Sequence, residues 1–321
     1  MAIDVSGLTA YIEENKADLI TKAITGSKIM DYVDIRQGIK GTEKIPIIES
    51  TAPAQAGAAC GYTSSGSTTI TQTQITTTSI KVEESLCLKD LEGYFTQKWL
   101  KPGAKPDNVA IFADIMNRKI ANIARKVGQM LVKGDTDYTN DTWLKRMNGF
   151  ISTVDSASDE IVATAQASIS SSTVRGIFED IIFDRIPNEI IDQGVIVGCG
   201  YNVFRTLQNK LMVDNLFHYP APGSDFDAMS MVYPGTKIKV VGMPDFSYDG
   251  VDGGGVIPTA VQNRILAWEP KNFIVGMDTE SDLKDFEVWY SQDNEQLRMR
   301  FRVRIGIGIH FTDQVVSYAN S

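Results

Sequence analysis

Histidine is almost missing from this sequence. His218 and His310 stand far apart in a chain of 321 residues, so imidazole acid–base catalysis has little to build on. Cysteine is as scarce: Cys60, Cys87 and Cys199 are odd in number and widely spaced. That excludes a disulfide framework and a zinc-ribbon pattern, and it fits a reducing compartment. No run nears the roughly 20 apolar residues of a membrane helix, and no basic stretch followed by an apolar one reads as a secretory signal. Positive charge is not in excess either. A net charge of −9 excludes a broad basic face for gripping nucleic acid, while leaving room for a local basic ribbon.

The motifs of common catalytic sites are missing too. There is no GxxxxGK[ST] phosphate loop, no GxSxG elbow and no HExxH. Gly198-Cys199-Gly200 follows an apolar run, but Val203 stands where the third glycine of GxGxxG belongs, and these glycines read as a turn. Asp245, Ser247, Asp249 and Gly250 match the first half of a calcium loop, yet position twelve is Val256 and not a bidentate Glu. The stretch 245–255 and the group Asp135, Asp137 and Asp141 therefore read as solvated acidic loops. Cys199 has no base beside it in sequence. No catalytic, cofactor-binding or metal-binding residue is assigned. A cytosolic α/β enzyme, the rival from another class, has only Gly198–Tyr201 and the acidic loop as a candidate site.

What is present begins with a long amphipathic helix, 106–133. Val109, Phe112, Met116, Ile120, Ile123, Val127 and Met130 recur at steps of three or four and form one stripe. Pro106 suits its first turn and Gly134 its C-terminal cap. At 1.5 Å per residue it is roughly 40 Å long, the length of a spine. Ahead of it, 44–88 runs out and back. A small-residue tip separates KIPIIES from a β-branched return in which Ile70, Ile75 and Ile80 are thinly spread. Two such polar strands are marginal alone and have to lie on something. Before the hairpin, Ser6 caps a helix that Gly26 ends, and strand-like pieces follow.

Beyond the spine, strand pieces are expected at Gly149–Ser152 and Glu160–Thr164. A helix from Ser171 or Ser172 is kinked at Pro187, and the strands VIVGCG, KIKVV and RILAW follow. A turn at Gln292-Asp293-Asn294 then leads into a strictly alternating strand. Leu297, Met299, Phe301, Val303 and Ile305 face one way, and Arg298, Arg300, Arg302 and Arg304 the other, as a ribbon of guanidinium groups. Gly306 and Gly308 leave that second face bare, open to close approach by another backbone. Four like charges on one strand face repel, so an acidic partner in this chain or a neighbour is favoured over packaged DNA.

In this order of elements the chain resembles the major capsid protein of tailed bacteriophages, the Hong Kong 97-type fold, an α+β class. Leu131, Val132, Gly134 and Asp135 reproduce the apolar-apolar-x-Gly-Asp turn with which the long helix of such proteins often ends. The resemblance implies an N-terminal arm over 1–43 and an extended loop over 44–88. It also implies a peripheral domain over 89–167 and 263–321, and an axial domain over 168–262. It implies a structural protein without cofactor, assembling with itself as hexamers and pentamers of an icosahedral shell around double-stranded DNA. The implied setting is the virion, built in the bacterial host cytoplasm with no membrane. Portal and scaffolding proteins would be separate chains, with decoration proteins as further partners. A nanocompartment shell of the encapsulin type is the alternative with the same fold. Some members cross-link through a Lys in the extended loop. Lys81 lies at the base of the returning strand, so no such cross-link is expected.

Overall fold

The computed structural model describes residues 28–54, 64–87, 108–139, 141–216, 229–246, 261, 263–278, 287–291, 293–294 and 296–320. The expected N-terminal helix, the hairpin tip, the helix at 88–101 and most of the acidic loop lie outside these residues.

Two six-stranded sheets organise the described chain. The first holds β1 (Asp34–Gln37), β2 (Thr42–Thr51) and β3 (Ser67–Cys87), with β9 (Phe273–Met277), β10 (Glu287–Ser291) and β11 (Gln296–Ile309). Its order is β1-β9-β11-β3-β2, with β10 beside the start of β11. The second holds β4 (Ile161–Val162), β5 (Ile196–Gly200), β6 (Ser230–Val232), β7 (Lys239–Met243), β8 (Ile265–Trp268) and β12 (Val316–Tyr318). Its order is β4-β12-β8-β5-β7-β6.

The inner strands of the second sheet, β5, β7, β8 and β12, are buried on both faces, which is why they read as continuous apolar runs. Along β8, Leu266 and Trp268 enter one core, and Ile265 and Ala267 enter the other. The first core packs the spine helix α1 (Asn108–Lys133) through Val127, Met130 and Leu131 against Val303 and Ile305 of β11 and Ile80 of β3. The second packs α5 (Tyr201–Val213), through Phe204 and Leu207, and the helical turns of 174–191 on the other face. Strands at 161–162, 265–268 and 316–318, which lie in the stretches 89–167 and 263–321, thus pair in one sheet with strands from 168–262.

Local departures from the sequence reading have physical causes. Gly149–Ser152 is not a strand: α2 (Phe150–Asp155) starts there, and Phe150 is buried in a stack on Phe273 with centroids 4.4 Å apart. Short apolar runs fit either state, and here the aromatic stack decides. The expected single helix divides into α3 (Val174–Glu179), a π-helical turn over Asp180–Arg185, and α4 (Asn188–Ile191) after Pro187. Gly198 and Gly200 are no turn. Both lie in β5, where a Cβ on Gly198 would sit 2.6 Å from the Trp268 ring.

The spine ends as its Gly-Asp motif requires. The Gly134 amide donates to Met130 O at 2.9 Å, and the Gly149 amide donates to Gly134 O at 2.7 Å. A Cβ on Gly134 would fall 2.4 Å from Met147 O, so the approach is backbone to backbone.

The chain enters this core earlier than an arm over 1–43 implies. Ile29 and Met30 are buried beside the spine in a 3₁₀ turn over Lys28–Tyr32. The Ile29 amide donates to the buried Asp245 carboxylate at 2.8 Å, and the Trp268 indole donates to Tyr32 O at 3.0 Å. Strand β1 then pairs in parallel with β9.

Candidate functional site

Strand β3 changes partners along its length. From Thr76 to Cys87 it pairs with β11, and from Thr76 out to Ser67 it pairs with β2 on its other edge. The outer half is therefore a two-stranded ribbon that leaves the sheet. It is stitched by hydroxyl contacts such as Thr42 to Thr76 at 3.1 Å and Thr51 to Ser67 at 2.9 Å. Pro46, which has no N–H, sits within β2 on the outer edge of the ribbon and blunts further strand pairing there.

Two isoleucines face each other across the ribbon. Ile48 pairs with Ile70, and they are 68% and 65% exposed. Burying such a side chain is worth about 1.5–3 kcal/mol, which this exposed cross-strand pair does not gain within the described chain. Ile75 and Ile80, grouped with Ile70 from sequence, are placed differently. Ile80 lies in the first core, and Ile75 is sealed among Ile39, Ile45 and Ile274. Of the three, Ile70 alone is exposed.

The arginine ribbon alternates as expected, with Met299, Phe301, Val303 and Ile305 buried. Arg300 is held on three sides. Its Nε donates to Glu83 at 2.9 Å, its Nη1 lies 3.8 Å from Glu287, and its guanidinium sits 5.3 Å from the Trp289 ring centre. Lys81 closes the network at 3.1 Å from Glu83. The hydrogen bond from Lys81, helped by its charge and by Arg300, outweighs desolvation and holds the Glu83 carboxyl below its ordinary range. Arg304 reaches the buried Asp278 at 3.3 Å. Arg302 is exposed and faces Lys81 across the ladder. Arg298 meets no carboxylate among the described residues. At Arg300 and Arg304 the acidic partners belong to this chain.

No protein-family model and no curated protein matches the sequence. Solved structures do match. The capsid of a native GTA particle shares 11% identity at a TM-score of 0.57, over 92% of this chain and 90% of that one. The satellite phage P4 procapsid that includes the size determination protein gives 11% and 0.55, over 94% and 98%. The mature capsid of bacteriophage PhiM1 gives 12% and 0.55, over 92% and 87%. The chain has the Hong Kong 97-type capsid fold.

Two carboxylates read from the sequence as solvated are buried: Asp141 accepts from the Trp143 and Leu144 amides, each at 2.7 Å, and Asp245 accepts from the Ile29 amide. Cys199 is fully buried in β5, and burial pushes its thiol far above the ordinary range. Among the described residues no group of His, Cys, Asp and Glu is arranged to hold a metal ion. Tyr138, between Asp135 and Asp141, is pushed up to about 12, first by burial and then by the two carboxylates. Sequence reading missed Ile48 as the partner of Ile70. The signal was there, since KIPIIES carries three isoleucines on an edge strand and only their register separates Ile45, buried, from Ile48, exposed.

Proposed function

We propose that this chain is a major capsid protein, a structural subunit that assembles with itself into an icosahedral shell enclosing double-stranded viral DNA. The observation that carries it is a fold shared with capsid structures over about nine-tenths of both chains. The ribbon supports it, because its exposed Ile48–Ile70 pair would gain stability by lying on a neighbour.

In this reading 42–51 and 67–76 form the extended loop and lie across an adjacent subunit. The spine and first sheet form the peripheral domain, and the second core forms the axial domain. Subunits meet through heterologous contacts that close as rings of five and six. Scaffolding, portal and decoration proteins are separate partners. DNA is enclosed without sequence preference, since subunits of net charge −9 offer it no broad basic face. Arg298 is the member of the ribbon offered to a neighbour's carboxylates. The reading assigns no catalytic residue and no cofactor, and it places the protein in the virion after assembly in the host cytoplasm.

Size-exclusion chromatography of the purified chain, with negative-stain microscopy of the leading peak, tests it. Megadalton shells, or rings of five and six, are expected. A chain that stays a monomer or dimer when concentrated and mixed with candidate scaffold overturns the proposal. Shells from infected cells that hold protein cargo and no DNA would replace it with a nanocompartment.

A further inference from the structure

Where β3 exchanges one partner for the other, a small socket sits on the sheet face away from the first core. Its floor is two glycines, Gly276 in β9 and Gly308 in β11. A Cβ on Gly308 would lie 2.6 Å from Ile75 Cγ1. A Cβ on Gly276 would lie 2.8 Å from Ile75 Cγ2 and 2.9 Å from Ile39 Cδ1. Ile45 and Ile274 complete a cluster in which Ile75 is fully buried.

The two pegs come from different parts of the chain. Ile75 belongs to the ribbon. Ile39 belongs to the connector from β1, held between Gly38 at φ +91° and Gly41 at φ +122°. Those positive angles let the chain turn twice in four residues and drive Ile39 down onto Gly276. Backbone bonds fix both pegs: the Ile39 amide donates to Met277 O at 3.2 Å, and the Thr77 amide donates to Gly41 O at 2.8 Å. On the ribbon side, the Thr73 hydroxyl donates to Ile309 O at 2.9 Å.

We propose that this glycine-floored socket couples the β2–β3 ribbon to β1 in one rigid joint, so that displacing the ribbon displaces the entry strand of the subunit. Without such a peg the ribbon would be tied to the sheet only by the backbone at Thr76 and the hydrogen bonds of Thr73 and Thr77. With Ile75 and Ile39 sharing one floor, neither can lift without opening a cavity under the other. The joint lies within a single chain and stands whether or not shells form.

Hydrogen–deuterium exchange on the full chain tests this, followed in peptides covering 67–76 and 34–41. Ile75→Ala should speed exchange about tenfold or more in both peptides. The three atoms nearest a Cβ on Gly308 all belong to Ile75, yet Gly308→Ala should loosen 34–41 as well. The double variant Ile75→Ala with Gly308→Ala returns room to the socket and should slow both peptides again. Ile70→Ala, on the exposed pair, should leave 34–41 unchanged. If Ile75→Ala does not fold, Gly308→Ala and Ile75→Val carry the same comparison. Faster exchange confined to 67–76, or no change in either peptide, overturns the coupling.

Discussion

Substituting Gly134 by Ala tests how the spine is terminated. The new Cβ would meet Met147 O at 2.4 Å and Met130 O at 2.5 Å, with Gly149 N at 3.2 Å. All three are backbone atoms, so no rotamer change relieves the overlap. Relief requires moving the helix end away from the loop. That stretches the bonds from Gly134 to Met130, Gly149 to Gly134 and Asp135 to Leu144, now 2.7–2.9 Å long. Three backbone bonds at about 1 kcal/mol net each give a loss of roughly 3 kcal/mol. At a urea slope of about 3 kcal/mol per molar, the unfolding midpoint should fall by about 1 M with the slope unchanged. Gly149→Ala should behave alike, since its Cβ would meet Gly134 N at 2.7 Å. Gly38→Ala is the control. It has open space but a φ of +91°, and should cost only about 1–2 kcal/mol of backbone strain. A Gly134→Ala loss no larger than that of the control would refute the steric argument.

Other expectations follow from the same geometry. Ile48→Asp and Ile70→Asp should leave the stability of the soluble chain within about 0.5 kcal/mol, because both side chains are exposed, while abolishing particles in microscopy. His310 lies 3.4 Å from Arg36, and burial, then the Arg36 charge, lower its pKa against a smaller opposing pull from Asp34. The folded state therefore binds fewer protons than the unfolded one. The stability this contributes is present above about pH 6.5 and is lost as pH falls through the depressed value. Thermal melts should show that slope, and His310→Gln should flatten it. Cys199 should resist iodoacetamide in the native chain at mildly alkaline pH and react fully in denaturant, read by mass spectrometry.

Periodicity carried most of what the sequence revealed. The alternation of Met299 to Ile305 against the arginines survived folding intact, because a long strand with one buried face has a single register that satisfies it. The Gly134-Asp135 stop was legible as a cap, but the need for Gly149 opposite it was not, since that contact crosses a loop. Short elements failed. Phe150 was read as a strand residue and Gly198 as a turn residue, and both are decided by aromatic rings distant in sequence. The ribbon was visible in its β-branched content. Which isoleucines it keeps and which it exposes was not, because β3 has one partner out to Thr76 and another beyond it.

That divided strand also sets a timetable. The β2–β3 ribbon is a local hairpin and can zip within microseconds of leaving the ribosome. The inner half of β3 cannot, since Thr76 through Cys87 must wait for Ile307 back to Gln296, near the far end of the chain. At translation speeds of roughly 5–20 residues per second, that edge stays bare for on the order of tens of seconds. A bare strand edge recruits other chains, and here every other copy being made is an identical recruit. Charged residues disfavour such pairing, and Lys81, Glu83 and Glu84 stand on this strand among threonines and serines. Glu83 and Glu84 later become the partners of Arg300 and Lys119, and Lys81 that of Glu83. The residues that guard the nascent strand are thus the ones that clasp the finished one.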